Sequence, residues 1–101
     1  MAIDLSCYAG NSVMEVTKTL DAIRKTHFAL FDENFLISHV WACNAVNKEI
    51  AMEYGLKAEC EFLVSLNVKE FSIFMPTVVF LLKHSFESDK LVILYLNETL
   101  M

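Results

Sequence analysis

The side chains in this 101-residue chain whose chemistry could carry a function are three cysteines, three histidines, one tryptophan and two close pairs of acids. Cys7, Cys43 and Cys60 lie 36 and 17 residues apart, with no CxxC pair to chelate a metal or form a redox couple. Cys7 stands just ahead of a helix start, where the helix dipole could acidify a thiol. The stretch Cys7 to Met14 lacks the Arg of a phosphate-binding cysteine loop, and alternation with Ile3 and Leu5 makes Cys7 a buried small hydrophobe. One Gly and no Lys in the same loop match neither a Walker A nor a dinucleotide fingerprint.

His39 and Cys43 are four apart within a stretch that reads as strand. They share no helical face, and no second pair completes a four-ligand zinc site. His27 and His84 fall at helix ends, where a cation complements the dipole. Nothing resembles a GxSxG elbow. No catalytic, cofactor-binding or metal-ligating residue is therefore expected. What remains are Glu59 with Glu61 on one strand face and Asp32 with Glu33 in a turn. Each pair alone fits a solvated surface; together they form an acidic face for a basic partner. Trp41 reads as core or as an interface anchor, its apolar neighbours favouring core.

The elements that must position these residues follow from periodicity. Ile3, Leu5, Cys7 and Ala9 alternate with Asp4, Ser6 and Tyr8, the pattern of a strand with one wetter face. Gly10-Asn11 breaks it, and Ser12-Val13-Met14-Glu15 is a capping box that opens a helix whose inward face runs along Val13, Val16, Leu20, Ile23 and His27. Phe35 to Trp41 reads as a second strand. A short helix follows from Asn44 with Val46, Ile50 and Tyr54 inward, and Gly55 as its left-handed cap. In the strand Lys57 to Leu66, Ala58, Cys60, Phe62, Val64 and Leu66 face the core, while Glu59, Glu61, Leu63 and Ser65 face a half-wet side.

Asn67 with Glu70 offers a weak capping pair, but Pro76 places the start of the main helix near itself, with Phe74, Val78, Leu81, Leu82 and Phe86 buried. Glu87-Ser88-Asp89 turns the chain into Leu91 to Leu96, a run suited to a strand covered on both faces, and the tail from Asn97 frays. The order is β, α, β, short α, β, α, β. Its most economical form is an α+β, ferredoxin-like four-stranded sheet with the helices on one face, two of them main helices and the short one inserted between the middle strands. A small doubly wound α/β sheet is the alternative.

Length sets one domain, 1–101, able to bury roughly two-thirds of its surface. With 55% hydrophobic residues against two Gly and one Pro, disorder and low complexity are excluded. Seven Lys and one Arg against 13 acids give a net charge of −5, and the basic residues are scattered singly. Nucleic acid is thus an unsuitable partner, since phosphate contacts need clustered cations. An odd cysteine count, an acidic N-terminus and a longest apolar run of twelve residues point to the cytoplasm and away from a membrane, whose span takes roughly 20.

The segments Ala2-Ile3-Asp4-Leu5-Ser6-Cys7-Tyr8-Ala9-Gly10, Phe31-Asp32-Glu33-Asn34-Phe35-Leu36-Ile37-Ser38 and Lys90-Leu91-Val92-Ile93-Leu94-Tyr95, in an acidic chain of this size, resemble the small immunity proteins of bacterial contact-dependent growth inhibition systems. The resemblance implies an intracellular, non-enzymatic protein that binds one cognate toxin domain, often a nuclease, and covers its active site or substrate channel. Asp32, Glu33, Glu59 and Glu61 are the residues whose charge suits that role. Two other readings stay open: a regulatory ligand-binding module, for which a homodimer is expected, and an assembly subunit docking through the apolar Phe71 to Phe86 region.

Overall fold

In the computed structural model, residues 3–31, 35–66, 73–87, 89–95 and 99–101 are described. Strand β1 (Ile3–Ala9) lies at the centre of an antiparallel sheet, paired on one side with β4 (Cys60–Leu66) and on the other with β5 (Leu91–Tyr95). Beyond β4 lie two short strands, β2 (Phe35–Ile37) and β3 (Trp41–Ala42). Beyond β5 lies β6 (Thr99–Leu100). The path is β2-β4-β1-β5-β6 with β3 also on β4, so among the described residues the sheet has six strands instead of the expected four. Antiparallel pairing throughout excludes the doubly wound alternative.

Helix α1 (Val13–Thr26) begins with the expected capping box. Ser12 Oγ accepts from the Glu15 amide at 3.2 Å, and the Ser12 amide donates to Glu15 Oε1 at 3.3 Å. Those bonds from Ser12 hold the Glu15 carboxyl below its ordinary pKa. A depressed carboxyl stabilises the fold at neutral pH, and that contribution is lost as the pH falls through the carboxylate range. Replacing Ser12 with Ala is expected to cost about 1 kcal/mol, read as a fall of a few degrees in Tm; an unchanged Tm would show the box to be idle.

Val16, Leu20 and Ile23 of α1 and Val78, Val79 and Leu82 of α4 (Met75–Ser85) bury against Leu5, Cys7, Phe62, Val64, Leu66 and Ile93. This is the main core. Pro76 occupies the first turn of α4, where its missing N–H costs nothing. Phe74, expected inside, is exposed, while Phe86 is half-buried and stacks on Phe62 with ring centroids 6.3 Å apart. Asn67 and Glu70 lie outside the described residues.

The helices are not confined to one face. Helix α3 (Ala45–Glu53) crosses the opposite side, where Ala51, Ile50 and Tyr54 pack with Tyr8, Val92 and Leu94 in a second core. Tyr8 was read on the wetter side, yet its ring is fully covered by this layer. Val46 was expected inward and is 65% exposed, because α3 is rotated to turn Asn47 and Ala51 toward the sheet. Asn44 caps the helix by accepting from the Asn47 amide at 2.8 Å. Gly55 closes it at φ +83°, the left-handed cap read from the sequence.

Three further departures have identifiable causes. The second strand is split, because Ser38 inserts its hydroxyl to accept from the Leu63 amide at 2.8 Å while its own amide donates to Leu63 O. A one-turn helix, α2 (Phe28–Phe31), fills part of the aperiodic stretch, with Phe31 edge-on to Phe35. Residues 99–101 do not fray: β6 pairs with β5, the Met101 amide donates to Ile93 O, and Lys83 Nζ donates to the Met101 carbonyl. Among the described residues, no helix is long and apolar enough to cross a membrane.

Candidate partner-binding surface

The four acids singled out from the sequence do not sit alike. Glu59 is exposed in the approach to β4, its amide donating to Ala9 O at 2.8 Å. Glu61, one turn of the pleat further on, is only 8% exposed. Both of its carboxylate oxygens accept from Asn47 Nδ2 at 2.8 Å, and the Cys43 thiol is hydrogen-bonded to it. The pair therefore does not form one open face, as alternation alone suggested: α3 covers the second carboxylate and leaves the first in water. Asp32 and Glu33 lie outside the described residues.

Glu61 stands in a row across three strands, opposite Trp41 on β3 and Tyr8 on β1. The next rows on this side are Leu63 with Ser6, and Leu36 with Ser65 and Asp4, where Ser65 Oγ donates to Asp4 Oδ1 at 2.6 Å. The second core under α3 takes in Tyr8 and Val92 and, at the β5 end of the Ser6 row, Leu94, and leaves the β1, β4 and β2 members of these rows outside it. Leu36 is 49% exposed, Asp4, Ser6, Trp41, Leu63 and Ser65 are half-buried, and none belongs to either buried cluster. Trp41 is accordingly a rim residue, tilted against the exposed His39 ring at 5.5 Å, and periodicity had favoured core for it.

Charge on the sheet is one-sided. Across β1 to β6 there are two acids, Asp4 and Glu61, and no Lys or Arg. Arg24 reaches the β2 edge from α1, but its guanidinium is engaged with Asp21 at 2.7 Å and with the Ile37 carbonyl at 3.0 Å.

The cysteines carry no reactive chemistry. All three are buried and free. Burial drives the Cys7 thiol far above its ordinary pKa. Cys43 is pushed up to about 12, by desolvation first and by the Glu61 hydrogen bond and charge second. Cys60 is pushed up to about 11, again mainly by desolvation, and its thiol donates to the Asn11 carbonyl. Native protein at pH 8 is expected to resist a thiol reagent at all three positions and to react at all three in denaturant; rapid native labelling would contradict this burial. Among the described residues no three His, Cys, Asp or Glu side chains are grouped to hold a metal. A cleft of about 330 Å³ opens at the other end of the sheet, with Leu56, Leu91 and Leu100 in its wall and Lys83, Glu87 and Asp89 around it.

Acids, small hydroxyls and a few apolar side chains on an antiparallel α+β sheet make a surface suited to contact with another protein. Over residues 1–99 the chain matches the family model described as CDI System Immunity Component, and it belongs to that family. It is 43% identical over 98 residues to Immunity protein CdiI-2 of Burkholderia pseudomallei (strain 1026b), covering 97% of each chain. Its fold is similar, with a TM-score of 0.93 and 41% identity, to a chain of the solved CdiA-CT/CdiI toxin and immunity complex from Burkholderia pseudomallei, covering 97% of this chain and 95% of that one.

Proposed function

We propose that this immunity protein binds the toxin domain encoded with it in the cytoplasm and neutralises it by covering the active site or substrate channel, and that the toxin is a nuclease. The observation that carries the reading is the close match, along 97% of the chain, to a fold seen in a toxin and immunity complex. The net charge of −5 and the cation-free sheet support the choice of target. A nuclease presents a basic surface to phosphates, and an acidic inhibitor meets it with complementary potential, which speeds encounter and fixes register. Asp32, Glu33, Glu59 and Glu61 supply carboxylates in this account, Glu59 as an open charge and Glu61 as one held in place by Asn47. The role is binding, not catalysis. The strand path β2-β4-β1-β5 supports reading the body as a ferredoxin-like core enlarged at both edges.

The test is stopped-flow association with the toxin-like C-terminal domain of the product encoded immediately upstream. Glu59→Lys, at an exposed site, is expected to slow association by roughly tenfold in low salt while leaving Tm unchanged, the loss shrinking as salt is added. Unchanged kinetics in low salt would remove Glu59 from the interface. Glu61→Lys is not a clean equivalent, because it would place an ammonium beneath α3.

A further inference from the structure

We infer that the toxin docks on the uncovered outer rows of the sheet, the patch formed by Leu36, Ser65 and Asp4 with Leu63, Ser6 and Trp41, and that it presents there a segment carrying Arg or Lys. This deepens the immunity reading above and rests on it. The patch is three strands wide and three rows long, roughly 10 by 14 Å from strand and residue spacings. Its register is fixed by backbone pairing on both sides of β4, so it is a rigid platform that needs no ordering when a partner arrives.

Three observations select this occupant. The opposite face is filled by α1 and α4, and the near half of this face by α3, yet here Leu36, Leu63 and Trp41 stay outside both cores. Apolar side chains gathered on an open, pre-formed face are the ordinary mark of a contact surface. Among the described residues the acids in and beside the patch are Asp4, Glu61 and the exposed Glu59, the strands supply no cation, and Arg24 at the β2 edge is already engaged by Asp21 and the Ile37 carbonyl. Trp41, partly open and flanked by His39, offers a ring face on which a guanidinium stacks, with the Glu61 carboxylate held beside it by Asn47. The competing exposed stripe, Ile73 just ahead of α4 with Phe80 on it, ends at Lys83 and His84 and is the wrong sign for a basic toxin.

The experiment measures Kd by calorimetry for the upstream-encoded toxin domain against the full-length protein and three variants. Leu36→Arg places a cation in the patch at an exposed edge position, Leu36→Asp removes the same apolar contact but adds an attractive charge, and Phe80→Arg serves as the control on α4. Tm is recorded for each, and the size of the protein alone is checked by light scattering.

Leu36→Arg is expected to weaken binding by about 100-fold, Leu36→Asp by less than about tenfold, and Phe80→Arg not at all, all with native Tm. Equal affinity for wild type and Leu36→Arg would overturn the site, as would loss confined to Phe80→Arg. Equal losses for Leu36→Arg and Leu36→Asp would overturn the cationic occupant. So would a homodimer of the free protein that Leu36→Arg dissociates, since the patch would then belong to a second copy. If wild type itself fails to bind, the immunity reading falls first and the inference with it.

Discussion

Replacing Phe62 with Ala is expected to lower the unfolding free energy by about 3–5 kcal/mol and Tm by roughly 15–30 °C. Phe62 is fully buried at the middle of β4, opposite Cys7 on the central strand, with the half-buried Phe86 stacked on its ring. Truncation removes the transfer free energy of the ring and leaves a cavity. The site cannot collapse readily, because β1 holds β4 from one side and Phe35, Leu66 and Val64 are themselves fully buried nearby in the same cluster. Domains of this size have about 5–15 kcal/mol in all, so a loss of this order approaches the margin at 37 °C. Urea denaturation followed by circular dichroism measures it. A cost below about 1 kcal/mol would mean that the core around β4 is looser than this packing implies.

The second large effect is expected at Asn47, a half-buried polar residue that α3 turns toward the sheet. Asn47→Ala is expected to cost about 2–3 kcal/mol, because its amide is the donor to both oxygens of the Glu61 carboxylate, and removing one partner strands a buried charge. No Lys or Arg of the strands stands in to compensate. The same substitution in a Glu61→Gln background is expected to cost only about 1 kcal/mol, since a neutral amide is cheaper to leave unpaired. A double-mutant cycle that sums to no coupling would show that the bond contributes nothing to stability.

Much of the scaffold was legible because its signals are local. The Ser12 to Glu15 box, the alternation of β1 and β4, the apolar run of β5 and the glycine cap at Gly55 each lie within a few residues and each appears where the pattern placed it. The features that escaped are those decided across the fold. Alternation assigned Tyr8 to a wet side, because nothing in β1 itself announces that α3 lies over it. On α3, Ile50 and Tyr54 pack inward as read, but Val46 does not, and the buried Ala51 is too small to weigh in an apolar pattern. Ser38 split a strand through its bond to Leu63, 25 residues away in sequence.

The candidate site was legible in part for the same reason. That Glu59 and Glu61 lie on one side of a strand follows from period two, but that one is open and the other capped by Asn47 follows from the helix between them in space. The outer patch went unseen as a unit, because Leu36, Trp41 and Asp4 come from three strands joined only by pairing through β4.

Immunity here means that this protein protects a cell from one toxin. The direct measurement is growth of bacteria induced for the upstream-encoded toxin domain, with and without this protein supplied from a second plasmid, its soluble level verified by blot. Arrest is expected with the toxin alone, and growth restored to the uninduced rate when the protein is present. Persistent arrest in cells that accumulate the folded protein would contradict it.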